Sequence, residues 1–182
     1  MKRIFTLRLI SFFIGSMLIL SSCLKSGLDD LENSPDKELT SVDYTYRFLY
    51  NDTIKKGTPN EEILEGRVCE VLFKKQSLAI TDNGMQGYET TLTYDINSVL
   101  KAGPTGSVTK EMLYTEFQKL ISNDNLTKLW VYTTISDAAS ITPQNGAPQL
   151  GAPGDFSVDR VYRVKAADGS TQDYVIKTIK GF

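Results

Sequence analysis

The chain has 182 residues, with 20 Lys and Arg against 22 Asp and Glu, a formal charge of −2, and no histidine. The missing histidine excludes Ser-His-Asp and Cys-His catalysis, His-ligated zinc and HExxH-type metalloprotease sites, and leaves carboxylate, lysine or tyrosine chemistry. The slightly acidic balance gives no electrostatic footprint for nucleic acid or anionic lipid.

The amino end is basic, through Lys2, Arg3 and Arg8, and Leu9 to Leu20 follow as a nearly unbroken apolar run. That run is shorter than the roughly 20 residues a membrane-spanning helix needs, and it stops at small residues, so residues 1–22 read as a cleaved secretory signal. Leu20-Ser21-Ser22-Cys23 resembles the bacterial lipobox, in which the cysteine thiol receives a diacylglyceryl group and becomes the acylated amino terminus. Cys23 is therefore the expected lipidation site, and the lipid on it the expected link to the membrane. One acyl chain binds a bilayer only marginally, whereas two or more anchor stably. Loss of Lys2, Arg3 and Arg8 with the signal takes 20 Lys and Arg to 17 against 22 acids, a mature charge near −5.

Residues 23–40 are polar, acidic and broken by Gly27 and Pro35, the composition of a flexible tether. Its Asp29-Asp30 pair resembles, loosely, the surface-export mark of Bacteroidetes lipoproteins. From Ser41 the pattern becomes period-2: Val42, Tyr44, Tyr46, Phe48 and Tyr50 fall on one face of a half-buried strand. NDT and KKGTPNEE supply turn chemistry. Strands are expected at 66–73 and 77–81, then a turn at TDNGMQG, and alternation resumes with Tyr88, Thr90, Leu92, Tyr94 and Ile96.

TKEMLYTEFQKLISN breaks this period, since Leu113, Phe117 and Ile121 recur at i, i+4 and i+8 behind a capping Thr109. This predicts one short amphipathic helix closing an end or edge of the sheet. A strand at 128–135 precedes a Gly- and Pro-rich loop at 136–157. A closing hairpin follows, with strands at 161–165 and 174–179 about an Ala167-Asp168-Gly169-Ser170 turn. Residues 41–182 are thus one mostly β domain with strands spaced for a sandwich.

The segments Ile135–Pro143, Gly154-Asp155-Phe156-Ser157, Tyr162–Ser170 and Tyr174-Val175-Ile176 resemble the closing motif of immunoglobulin-like domains common in Bacteroidetes surface lipoproteins. The resemblance implies an immunoglobulin-like β-sandwich on an outer-membrane lipoprotein that faces the cell surface, with the periplasm as the alternative. Phe156 would plug the core, and Pro143 and Pro153 would restrict the crossover. It also places the chain among surface glycan-capture systems.

No residue set reads as a catalytic centre. An acid pair can run glycoside hydrolysis, but Asp29, Asp30, Glu61, Glu62, Asp155 and Asp159 stand in polar or turn-like sequence, where solvated surface acids are the rule. Asp155, Asp159 and Asp168 lack the spacing of a calcium loop, so no metal or other cofactor is expected. Cys69, in RVCEVLF, reads as a buried inert thiol. Trp130 and Tyr132 share one face of LWVYTTI and are the candidate ligand-binding residues, by stacking on sugar rings; the competing reading makes Trp130 the core tryptophan of a sandwich. The expected function is a non-catalytic, lipid-anchored binding module with polysaccharide as ligand. The alternative is a structural or assembly subunit working through contacts with envelope proteins. A buried Trp130 would weigh against glycan binding, and a long exposed apolar face would favour a protein partner.

Overall fold

The computed structural model describes residues 34–101 and 103–182. The signal at 1–22, Cys23 and the Asp29-Asp30 pair lie outside the described residues.

The strict alternation of β1 (Leu39–Ile54) makes it the long central strand of a five-stranded sheet A, ordered β5-β2-β1-β6-β8. β2 is Glu62–Leu72, β5 Val99–Lys101, β6 Leu129–Ile135 and β8 Pro153–Gly154. Sheet B, also five-stranded, is ordered β3-β4-β10-β9-β7. Its strands are β3 (Lys74–Asp82), β4 (Met85–Thr93), β7 (Ser140–Gln144), β9 (Arg160–Lys165) and β10 (Thr171–Lys180). The inner faces bury Val42, Tyr44, Tyr46, Cys69, Val71, Leu129 and Val131 from sheet A against Leu92, Tyr162, Val164, Tyr174 and Ile176 from sheet B. The protein is a mostly β sandwich with one short helix, as the alternation predicts.

Several details follow from single residues. The chain passes from β2 in sheet A to β3 in sheet B through Phe73 alone, whose N–H donates to the Tyr44 carbonyl at 3.2 Å. The helix α1 (Lys110–Asp124) starts where expected, with Thr109 accepting from the Met112 N–H at 3.3 Å. Its buried Leu113, Phe117 and Ile121 close one end of the core. Phe117 packs on Tyr94 with ring centroids 4.8 Å apart and on Phe73 at 6.0 Å, and Phe182 joins the same cluster. At the other end of the sequence motif, Phe156 is fully buried, edge-on to Tyr44, and Tyr162 Oη donates to the Pro148 carbonyl at 2.8 Å.

The structure departs from the expected elements in several places: β2 begins at Glu62 rather than at 66, β5 has no expected counterpart, and four further differences have a local cause. β1 begins at Leu39 and runs through Asn51-Asp52-Thr53, read above as a turn; a register shift between Tyr50 and Asp52 lets the strand continue. The second hairpin turns on Asn83-Gly84 alone, so β4 starts at Met85. The alternation through Ile96 stops at Thr93, because Asp95 caps a 3₁₀ turn at Ile96–Ser98. The 136–157 loop contains β7 and β8, two edge strands that each hold a proline, which suits a position with one unpaired side.

The join within sheet B is the parallel pair β4–β10. There Gly87 faces Val175, and a Cβ on residue 87 would lie 1.9 Å from the Val175 carbonyl oxygen, so only glycine permits this approach.

Candidate functional site

The two outer faces of the sandwich differ in their mix of side chains. On sheet B the outward residues combine ion pairs, Arg163 with Asp173 at 2.7 Å and Lys177 with Asp82 at 3.1 Å and Asp159 at 3.4 Å, with two exposed apolar side chains, Leu78 and Ile179. On sheet A the outward residues of β1, β2, β5 and β6 include Leu49, Val68, Leu72, Leu100 and Tyr132, all exposed, with Leu49 at 70%. These side chains alternate with core residues along each strand, so the period that buries Val71 and Val131 also turns Leu72 and Tyr132 outward.

At the centre of this apolar face stands one ion pair. Arg47 on β1 is directly opposite Glu70 on β2, and Leu100 on β5 is opposite Glu70 on its other side. The guanidinium donates through Nε at 2.8 Å and Nη2 at 2.7 Å, both to Glu70 Oε1. Glu70 Oε2 and Arg47 Nη1 stand outside the pair. The carboxylate beside it raises the Arg47 pKa, so the guanidinium stays charged at any physiological pH.

Trp130 and Tyr132 lie together on this face, as their spacing requires. Trp130 is opposite Thr45 and points away from the sandwich interior, so the reading of a core tryptophan does not hold; the ring is half-buried. The guanidinium of Arg47 sits 5.8 Å from the Trp130 ring centroid and 6.0 Å from that of Tyr132. Both aromatic faces are thus already engaged by a cation. Tyr132 keeps 36% of its surface exposed and is opposite Asp43. Thr45, between Leu72 and Trp130 in the register, is only 6% exposed although it faces outward, and its hydroxyl has no hydrogen-bond partner.

A second cluster was not legible in the sequence. Asp52, 1% exposed, holds Lys101 at 2.8 Å and Arg67 at 3.2 Å, and accepts from the N–H groups of Thr53 and Val108, each at 2.9 Å. Burial alone would raise its pKa, but the Lys101 ammonium and the two N–H donors outweigh that and bring it down to about 2. Every member is spent on tying β1, β2, β5 and the 103–108 segment together. A cavity of about 300 Å³ beside it is lined by Lys101, Pro104, Thr109 and Lys110. A groove of about 450 Å³ between the start of β1 and the β3–β4 hairpin is bridged by Tyr88 Oη donating to the Thr40 carbonyl at 3.1 Å, and no cation lines it.

Three of the carboxylates singled out in the sequence serve local turns, and Asp159 pairs with Lys177. Glu61 accepts from the Gly57 N–H at 2.6 Å, Asp155 from the Ser157 N–H at 2.9 Å and hydroxyl at 2.6 Å, and Asp168 from the Ser170 N–H at 2.8 Å. Among the described residues no three acids or cysteines come together as metal ligands. Cys69 is fully buried, and burial pushes its thiol up to about 11, far from a reactive thiolate. No helix of the described residues is long and apolar enough to cross a membrane.

Comparison with known proteins locates the fold. No curated protein matches the chain. A Bacteroides fragilis crystal structure, of a protein inferred to be secreted, superposes with a TM-score of 0.54 at 24% identity, covering 81% of this chain and 97% of the other, a likeness of fold. Residues 105–177, from the approach to α1 through most of β10, match the family described as DUF5018-related.

Proposed function

We propose that this chain is a lipid-anchored, non-catalytic protein of the bacterial cell envelope that works by docking a protein on the outer face of sheet A. The carrying observation is the face itself: exposed Leu49, Val68, Leu72 and Leu100 surround a single paired charge, whereas the outer face of sheet B exposes only Leu78 and Ile179 among several ion-paired side chains. An apolar core with few charges and an aromatic and an arginine near its centre is the composition of a protein interface. Aliphatic side chains do not stack on sugars, and the Arg47 guanidinium occupies space against both the Trp130 and Tyr132 rings.

The anchor half of the reading rests on Leu20-Ser21-Ser22-Cys23, with the acylated Cys23 seated in the outer membrane and the sandwich at the cell surface. The kinship with immunoglobulin-like surface domains rests on the closing hairpin, where Phe156, Tyr162, Val164 and Tyr174 all enter the core. Polysaccharide capture is the second reading, supported by exposed Tyr132 beside the Asp43 carboxylate.

Two measurements separate these readings. A photo-crosslinking residue at Leu49 of the full chain in cells is expected to yield protein adducts, and the same residue at Glu89 on the outer face of sheet B to yield none. On a glycan array, the Cys23→Ser chain lacking residues 1–22 is expected to bind nothing. Polysaccharide binding that Trp130→Ala or Tyr132→Ala abolishes would replace the protein reading with the glycan one.

A further inference from the structure

We infer that the partner on the outer face of sheet A is a second copy of this chain, seated about a twofold axis that runs parallel to the strands between β1 and β2. The inference rests on the reading of this face as a protein-docking surface and names its occupant.

The outer face of sheet A is self-complementary about this axis. In a face-to-face dimer the twofold axis lies in the interface plane, and each residue on one side of the axis meets its mirror position on the partner. Because Arg47 and Glu70 are directly opposite across β1 and β2, an axis between those strands sets Arg47 of each copy over Glu70 of the other. The same rotation sets Leu49 over Val68, since those two are also directly opposite. Charge thus meets opposite charge at the centre, with Leu49 over Val68 on one side of it and Thr45 over Leu72 on the other. No other in-plane axis through this face pairs the only two oppositely charged groups at its centre.

The unused valences agree with this. Both hydrogen bonds that Arg47 gives Glu70 go to Oε1, so each copy brings Oε2 as an acceptor, and guanidinium N–H donors, outside the pair. The twofold offers each donor the partner's acceptor. An isolated copy leaves them to solvent.

Five strands about 4.8 Å apart give a face about 24 Å wide, at the small end of what a specific dimer uses. In free solution a weak dimer is expected, with a dissociation constant on the order of 10 µM. On a membrane the anchors would confine the copies to two dimensions and raise their effective concentration, which makes weak pairing sufficient.

Sedimentation tests it. The Cys23→Ser chain lacking residues 1–22 is expected to pass from monomer to dimer across the micromolar range. Leu49→Glu, at an exposed position that does not contribute to the core, is expected to remain monomeric with an unchanged melting temperature. Arg47→Glu makes all four central charges negative and Glu70→Arg makes all four positive, so each alone is expected to weaken pairing about tenfold or more. Mixing the two variants restores both Arg–Glu contacts across the interface, and a heterodimer tighter than either variant's own dimer is expected. A wild-type chain still monomeric at about 1 mM, a dimer indifferent to Leu49→Glu, or a mixture that stays monomeric would overturn the inference. If the chain is monomeric while Leu49 crosslinks in cells to a different protein, the docking reading stands and the second copy falls.

Discussion

Asp52 sits fully shielded between Lys101 and Arg67 and accepts two backbone N–H groups, a complete set of partners for a buried carboxylate. Its folded pKa of about 2 lies below the 3.8 of a free aspartate, so its contribution to stability is present above about pH 4 and is lost as the pH falls through 2. Asp52→Asn strands two cations, and a loss of about 3 kcal/mol or more is expected at pH 7. In urea titrations the gap between wild type and variant should close between pH 4 and 2; a constant gap would show that the carboxylate charge is not what holds the cluster. Thr45 makes the opposite case, with a hydroxyl that is buried and unpartnered. Thr45→Val keeps the shape and removes the desolvated group, so stability is expected to hold or rise by about 1 kcal/mol. A clear drop in melting temperature would mean that the hydroxyl has a partner.

Among the elements, the β4–β10 pair and α1 hold different parts of the sandwich. Sheet B is continuous only because Gly87 lets β4 approach β10 along a parallel register from Gln86 to Leu92. Gly87→Ala forces a side chain into the Val175 carbonyl, and a cost of about 3 kcal/mol is expected from thermal melts, with the backbone having to part before the methyl fits. In α1, the cap and the core face can be separated. Thr109→Ala removes one acceptor from the first turn and should cost about 1 kcal/mol. Phe117→Ala empties the centre of the cluster formed with Phe73, Tyr94 and Tyr46, and should cost about 3–5 kcal/mol. Comparable losses from the two variants in chemical denaturation would show that the helix end, not its packed face, governs closure of the core.

For the whole molecule, the outer face of sheet A orders the functional reading: it gathers more exposed large apolar side chains around one ion pair than the outer face of sheet B does, and such a face suits a partner. The proposed membrane link belongs at this scale as well. Mass spectrometry of the mature protein is expected to find a diacylglyceryl group on Cys23 at the amino terminus, and Cys23→Ser to move the protein from the membrane fraction to the soluble one. Membrane retention by the serine variant would point to an uncleaved apolar helix instead.

Strand positions, the single helix and the final hairpin were legible in the sequence because they follow from local periods: two in YTYRF and VYRVK, three to four in α1, and a turn at Asp168-Gly169. The lack of histidine-based chemistry was equally plain from composition. Tertiary structure alone decided the rest. Alternation puts Trp130 and Tyr132 on one side of β6 and Leu129 and Val131 on the other, but both sides are apolar, and only the position of sheet B makes one of them the core. β7 and β8 were hidden because short edge strands need few hydrogen bonds and tolerate proline, so their sequence reads as loop. Asp52 read as a turn residue because a strand buries a carboxylate only where distant cations meet it, and Arg67 and Lys101 reach it only after β2 and β5 have paired.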